Sequence, residues 1–204
     1  GSGQSATIGT AFVSVLGVKV TDANNNPVSA ATVTFTAPAS GASATLSAPT
    51  CSTAADGTCS VTATANGLAS ATAYTVSAKV GGVTSAANFS LTNTQHATTL
   101  TVTPTATALV YGQPVTVSDS IQPASVLTSA PTGSITFYDG AATALTPSAA
   151  VASAAASTIV SVPSVGSHTY YATYSGDANF SASAQTAATT NAAVGKASAT
   201  LSGK

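Results

Sequence analysis

Few side chains in this sequence can exchange a proton near neutrality, hold a metal or form a cross-link. They are Asp22, Asp56, Asp119, Asp139 and Asp177, His96 and His168, Cys51 and Cys59, and the lysines 19, 79, 196 and 204; Glu and Arg do not occur. A general acid–base pair would have to be drawn from those five aspartates. All but Asp119 sit beside turn signals, where a solvated Asp is ordinary. No catalytic residue is therefore assigned, and the chain is expected to be no enzyme, with no metal and no cofactor. Cys51 and Cys59 flank the turn Asp56-Gly57, a spacing that suits a disulfide stapling a hairpin. By chain entropy such a short loop contributes about 2–3 kcal/mol. The alternative is a metal site, which lacks a second Cys or His pair.

The remaining candidates each carry an ordinary reading beside a sharper one. Asp119 lies two residues from both Val117 and Ile121, so strand alternation points it inward. Either a bulge or edge position lets it reach backbone amides or water, or it is a buried carboxyl with a raised pKa. A Lys to Asn or Asp isopeptide bond would want a nearby acid and an apolar wall, and only Lys19 and Lys79 lie on strands of the first half. His168 reads as a satisfied strand-end histidine rather than a ligand, and His96 stands alone between the halves. Calcium at their junction would need several oxygens that Asp119 and Asp177 do not supply. Asn88-Phe-Ser and Asn179-Phe-Ser match the N-glycosylation triplet, with chance as the default because the Phe is expected inside. O-glycosylation is left open.

The elements that position these residues are strands. His168-Thr-Tyr-Tyr-Ala-Thr-Tyr174 places His168, Tyr170, Ala172 and Tyr174 on one face, and with Ser175-Gly176-Asp177 and Asn179-Phe180-Ser181 it reads as a β-hairpin. An earlier copy lies about 94 residues upstream, as Tyr74-Thr-Val76-Ser-Ala78-Lys-Val80, Gly81-Gly82 and Ala87-Asn88-Phe89-Ser90. The chain is thus two versions of one β-domain, each long enough for its own core. In the first, Phe12, Leu16, Val18 and Val20 share a face, Asp22 to Val28 turns, and Val33 and Phe35 point inward. In the second, Val115 to Ile121 and Gly133-Ser-Ile135-Thr-Phe137 repeat those strands. The Ala-rich run 141–157 is read as two weak strands, because Ser and Thr punctuate it. Seven or so short strands per half, with turn signals every 8 to 12 residues, indicate all-β sandwiches.

Composition narrows the partners. Apolar content is 44%, but Ala supplies much of it; Phe and Tyr total eleven, with no Trp or Met. Four scattered lysines cannot make a phosphate-binding patch, so nucleic acid is excluded as a partner. A Ser/Thr surface with little charge suits secreted and surface proteins and protects weakly against self-association. No signal peptide, transmembrane span or lipidation motif is visible and no membrane insertion is expected. Without Met, the chain is read as a processed product or an excised piece.

Asp22-Ala-Asn-Asn-Asn-Pro27-Val28 and Ala31-Thr-Val33-Thr-Phe35 make the first domain resemble the bacterial Ig-like repeats of the invasin and intimin group. Tyr111-Gly-Gln-Pro-Val115, Pro131 to Gly140 and Gly166-Ser-His168 through Phe180 make the second similar to another bacterial Ig-like repeat family. The resemblance implies two tandem Ig-like β-sandwiches on a secreted or surface protein, acting as stalk, adhesin or accessory module, with no shared active site.

The expected division is 1–94 for the first domain, 95–192 for the second and 193–204 for a strand-like extension. Fifteen residues, Ala97 to Tyr111, precede Gly112 in the second domain, whereas eight precede Gly9 in the first. The first sandwich is therefore expected to lack its own first strand. The surplus at the other end, Lys196, Ala197, Ser198, Ala199, Thr200, Leu201 and Ser202, is the expected assembly strand. Other copies of the chain are then the partner, in a head-to-tail extracellular filament or cell-surface stalk. Donor-strand complementation between subunits and one long tandem protein both give that result. The alternative function is an adhesin or carbohydrate-binding accessory module facing a host or glycan surface, for which the outward aromatic candidates are Tyr138 and Tyr171.

Overall fold

The computed structural model describes residues 1–198, and it contains strands and turns with no helix. Contacts divide it into two units, Gly1–His96 with Val126–Ser129, and Ala97–Ser125 with Ala130 onward. The first holds β1 (Gln4–Thr7), β2 (Leu16–Lys19), β3 (Thr32–Thr36), β4 (Ala44–Leu46), β5 (Thr50–Ser52), β6 (Thr58–Val61), β7 (Ala63–Ala65), β8 (Tyr74–Val80) and β9 (Ala87–Thr94). The second holds β10 (Thr99–Pro104), β11 (Ala108–Val110), β12 (Val115–Gln122), β13 (Ser134–Asp139), β14 (Thr143–Ala150), β15 (Ala155–Val160), β16 (Gly166–His168), β17 (Tyr170–Tyr174), β18 (Thr186–Ala187) and β19 (Ala192–Gly195).

Alternation builds both sandwiches. β3 buries Val33 and Phe35 while its three threonines face out, and β17 buries Tyr170, Ala172 and Tyr174. The period of two thus gives each strand one apolar face. In the first unit one sheet runs β1-β9-β8-β3-β5, and β2-β6 with β4-β7 form the opposing face. Leu16, Val33, Phe35, Val76, Phe89 and Leu91 fill the space between, with the Phe35 and Phe89 rings stacked at 6.2 Å. In the second unit β10-β12-β15 is one face, and β14-β13-β17 and β11-β19-β16 share the other through the consecutive β16 and β17. The Ala-rich run forms β14 and β15, as its punctuation predicts.

Register identifies equivalent positions. Val33↔Val80 and Phe35↔Ala78 match Ile135↔Tyr174 and Phe137↔Ala172. In the following strand, Tyr74↔Leu91 matches His168↔Ala192. The equivalents Val80 and Tyr174 are 94 positions apart, whereas Leu91 and Ala192 are 101 apart. The second unit therefore carries seven extra residues between these strands.

Several expectations need correction here. Residues 175–181 are no hairpin returning along β17: Asp177 takes the Asn179 and Phe180 amides at 2.7 and 2.8 Å, and the Phe180 ring plugs the core. The second unit does not end by residue 192. Ala192 and Val194 are buried in β19, which pairs with both β11 and β16, so the extension placed at 193–204 begins inside the fold. Asn93 belongs to β9 and is fully buried rather than being part of a linker. The first unit does own an opening strand, β1, which runs parallel to β9 as β11 runs parallel to β19. What it lacks, among the described residues, is a counterpart of β10, the strand that pairs with β12 in the second unit.

Candidate functional site

The open edge of β2 is the feature most unlike a finished sandwich. In the second unit β12 is paired on both sides, by β10 and by β15. β10 sends Leu100 and Val102, 7% and 1% exposed, into the core and packs over β17. In the first unit β2 pairs, among the described residues, only with β6. The Val20 amide donates to the Gly57 carbonyl on the β6 side at 2.8 Å, so alternation turns the Gly17 and Lys19 amides to the open edge. Beside that edge lies a groove of about 230 Å³ whose apolar walls are Val18 and Val20 on one sheet and Val33, Ala78, Val80 and Ala87 on the other. Val18 and Val20 are half-buried there, whereas the corresponding Asp119 and Ile121 are covered. An edge with exposed backbone groups and apolar side chains is a template for strand addition.

Cys51 and Cys59 are joined, with Cα atoms 6.0 Å apart. Their strands are not partners in one hairpin ladder, as the spacing suggested. β5 pairs with β3 and β6 with β2, so the bond clips one sheet to the other. Cys51 is opposite Val33 and Cys59 opposite Val18, both wall residues of the groove. The disulfide therefore braces the two walls.

Of the expected assembly strand, Lys196, Ala197 and Ser198 are exposed and outside regular structure. Ala199, Thr200, Leu201 and Ser202 lie outside the described residues.

Ser164, His168 and Asp139 have the order of a nucleophile–base–acid triad. His168 Nδ1 is 2.7 Å from the Asp139 carboxylate, and Nε2 is 3.4 Å from the Ser164 hydroxyl. Nε2 is also 2.8 Å from the Ser164 carbonyl, an acceptor only, so this nitrogen carries a hydrogen. It has no lone pair with which to take the Ser164 proton. Burial of the ring would lower its pKa, but the Ser164 carbonyl and the Asp139 carboxylate together outweigh burial and raise it. The imidazole thus ties the loop before β16 to the end of β13, in agreement with a satisfied strand-end histidine.

Asp119 sits in a regular stretch of ladder between Val102 and Ala156, without a bulge. It is 2% exposed, and neither carboxylate oxygen makes a hydrogen bond of good geometry, the Thr101 and Ser120 amides approaching it only weakly. Burial pushes its carboxyl up to about 7, held back only in part by the Thr101 and Ser120 amides. The structure thus selects the buried-carboxyl reading. Alanines 149, 150, 155 and 156 line the cleft beside it, with no second titratable group.

Two polar hubs hold the connections together. Asp177 accepts from the Thr132 amide and hydroxyl and from the Tyr174 hydroxyl at 2.6, 2.9 and 3.1 Å, besides the two amides of its own loop. Burial would raise its pKa, but the Thr132, Asn179 and Phe180 amides outweigh that and lower it. In the first unit Asn93 donates to the Ser43 and Leu68 carbonyls and accepts from the Tyr74 hydroxyl. Neither Asn93 nor Ser164 stands out in the sequence, since Asn near a boundary and Ser in a Ser-rich loop are both ordinary.

Residues 100–194 match the family model described as bacterial Ig-like domain (group 3). No curated protein matches the chain by sequence. Among solved structures, invasin, described as a bacterial integrin-binding protein, is 17% identical over 94% of this chain and 38% of its own, with a TM-score of 0.53. The D0-D1 domain of intimin is 19% identical over 93% of this chain and 94% of its own, at 0.37. The adhesin InvE of Yersinia pseudotuberculosis is 19% identical over 93% of this chain and 55% of its own, at 0.42. The invasin likeness shows a shared fold. The chain spans well under two thirds of the invasin and InvE structures.

Proposed function

From two tandem Ig-like sandwiches, the second of them matching the bacterial Ig-like domain (group 3) family, we propose a structural repeat of an extracellular filament or cell-surface stalk. Successive copies join head to tail, the C-terminal segment of one completing the open face of the first unit in the next. Its work is mechanical rather than catalytic. The single observation behind this reading is the unpaired edge of β2 above an apolar groove, in a unit whose neighbour has the same edge paired and the same space filled. A sheet edge left in this state favours pairing with another strand, because main-chain groups and apolar surface are both exposed there. One incoming strand per unit is a heterologous contact that does not close, so repetition gives a linear array.

The supporting experiment is electron microscopy of the recombinant chain beside a variant ending at Gly195. Gly195 is the last residue of β19 and the next three residues are exposed, so this truncation leaves the second unit's ladder intact. The full chain is expected to form end-to-end arrays and the truncated chain to stay as single particles. Arrays from the truncated chain would overturn the reading.

A second reading, adhesion to a host glycan, rests on one observation. Tyr138 and Tyr171 are cross-strand partners with half-buried rings on the outer side of β13 and β17. Neighbouring rings of this kind can stack on a sugar face. Under that reading Tyr138→Ala would abolish retention on a glycan array that the unaltered chain binds.

A further inference from the structure

The register of the junction can be read from the second unit, and this deepens the head-to-tail reading on which it rests. Asn93 and Val194 are equivalent, each standing two residues beyond the equivalent Leu91 and Ala192. The step between them is 101 positions. Carried forward, the same step sets Thr99 against Thr200, Leu100 against Leu201 and Thr101 against Ser202. The segment after β19 therefore repeats the Thr-Leu-Thr start of the strand that opens the second unit, as Thr200-Leu201-Ser202.

In that strand Leu100 opposes Ile121, Thr101 opposes Ser120, Val102 opposes Asp119 and Pro104 opposes Val117. The first-unit residues at those places are Val20, Lys19, Val18 and Leu16, the inward valines being groove walls.

We propose that residues 196–204 of one copy lie antiparallel along β2 of the next, with Leu201 seated in the groove opposite Val20 and Ser202 outward beside Lys19. Leu201 is the only large apolar side chain in residues 196–204, which makes it the anchor. Main-chain bonds to the Gly17 and Lys19 edge supply the rest.

Paired cysteines test the register, because directly opposed antiparallel positions lie within disulfide reach and positions displaced by two do not. Cys51 and Cys59 are already bonded to each other, and the chosen β2-side positions, Lys19 and Thr21, are exposed. Under mild oxidation the full chain carrying Lys19→Cys and Ser202→Cys should give a ladder of covalent dimers, trimers and higher species. Thr21→Cys with Thr200→Cys should do the same, whereas Lys19→Cys with Thr200→Cys should stay monomeric. Adding Leu201→Asp should reduce the ladder at least tenfold. No ladder from either matched pair, an intramolecular bond, or a ladder equal in all three pairings would overturn the proposal. Arrays by microscopy without the ladder would retain the structural function and reject this junction; the ladder without arrays would retain the junction and reject the function.

Discussion

Asp119 occupies the place that Val18 holds in the first unit, and the two residues show what one carboxyl does to a β-sandwich. With its pKa at about 7, the folded state holds a proton that the unfolded chain releases near pH 4. The native state thus binds more protons across that window, so stability falls as pH rises from about 4 to about 7 and levels off above. Asp119→Val should flatten that slope and raise the stability of the second unit at pH 8 by about 1–3 kcal/mol, read by thermal melting. A variant less stable at pH 8 would show that the carboxyl is satisfied. His168, with its raised pKa, gives stability that is fully present below the unfolded value and lost as pH rises through the folded one. Asp139→Asn should shrink that loss while leaving the Asp119 slope. Asp177 works in the opposite sense: its lowered pKa adds stability above the unfolded carboxylate value that disappears on acidification. Asp177→Ala frees two loop amides, the Thr132 groups and the Tyr174 hydroxyl at once, and should cost the second unit about 2–4 kcal/mol in urea unfolding. The inward direction of Asp119 was legible from alternation alone. Its lack of well-formed hydrogen bonds was not, because that depends on which strands cross above it.

The same contrast holds for elements. Strands with an apolar or aromatic residue at every second position, such as β3, β13 and β17, were legible because burial on one face enforces that period. The loop after β17 was not, because a turn signal and a carboxylate hub use the same residues, Gly176 and Asp177. There the Asp side chain competes with the ladder for backbone amides, and it prevails. β19 was missed for a different reason: Ala192-Ala-Val-Gly195 has one large side chain, and pairing with β11 and β16 rather than composition makes it a strand. The cysteine pair was legible from spacing, but that the bond spans the two sheets was not. Because the bond closes a loop within the first unit alone, replacing both cysteines with Ala should lower that unit's stability by about 2–3 kcal/mol and leave the second unit's transition in place. A single shared shift of both transitions would show that the units unfold together.

For the whole molecule, the two units are one fold in two states of completion. The second has a strand on each side of β12; the first, among the described residues, presents the same edge unpaired. The place of that open edge was not legible in the sequence, since β1 fills the opposite sheet and only the register shows that the vacancy is at β2. The central claim is that this edge is covered by another copy, and amide hydrogen exchange at Gly17 and Lys19 tests it most directly. Their amides face the open edge, so a lone subunit leaves them to solvent and an assembled one bonds them. Both amides are predicted to gain protection as protein concentration rises and to lose it at every concentration when residues 196–204 are deleted. Exchange that is equally fast in the full and truncated chains, or equally protected in both, would contradict the account.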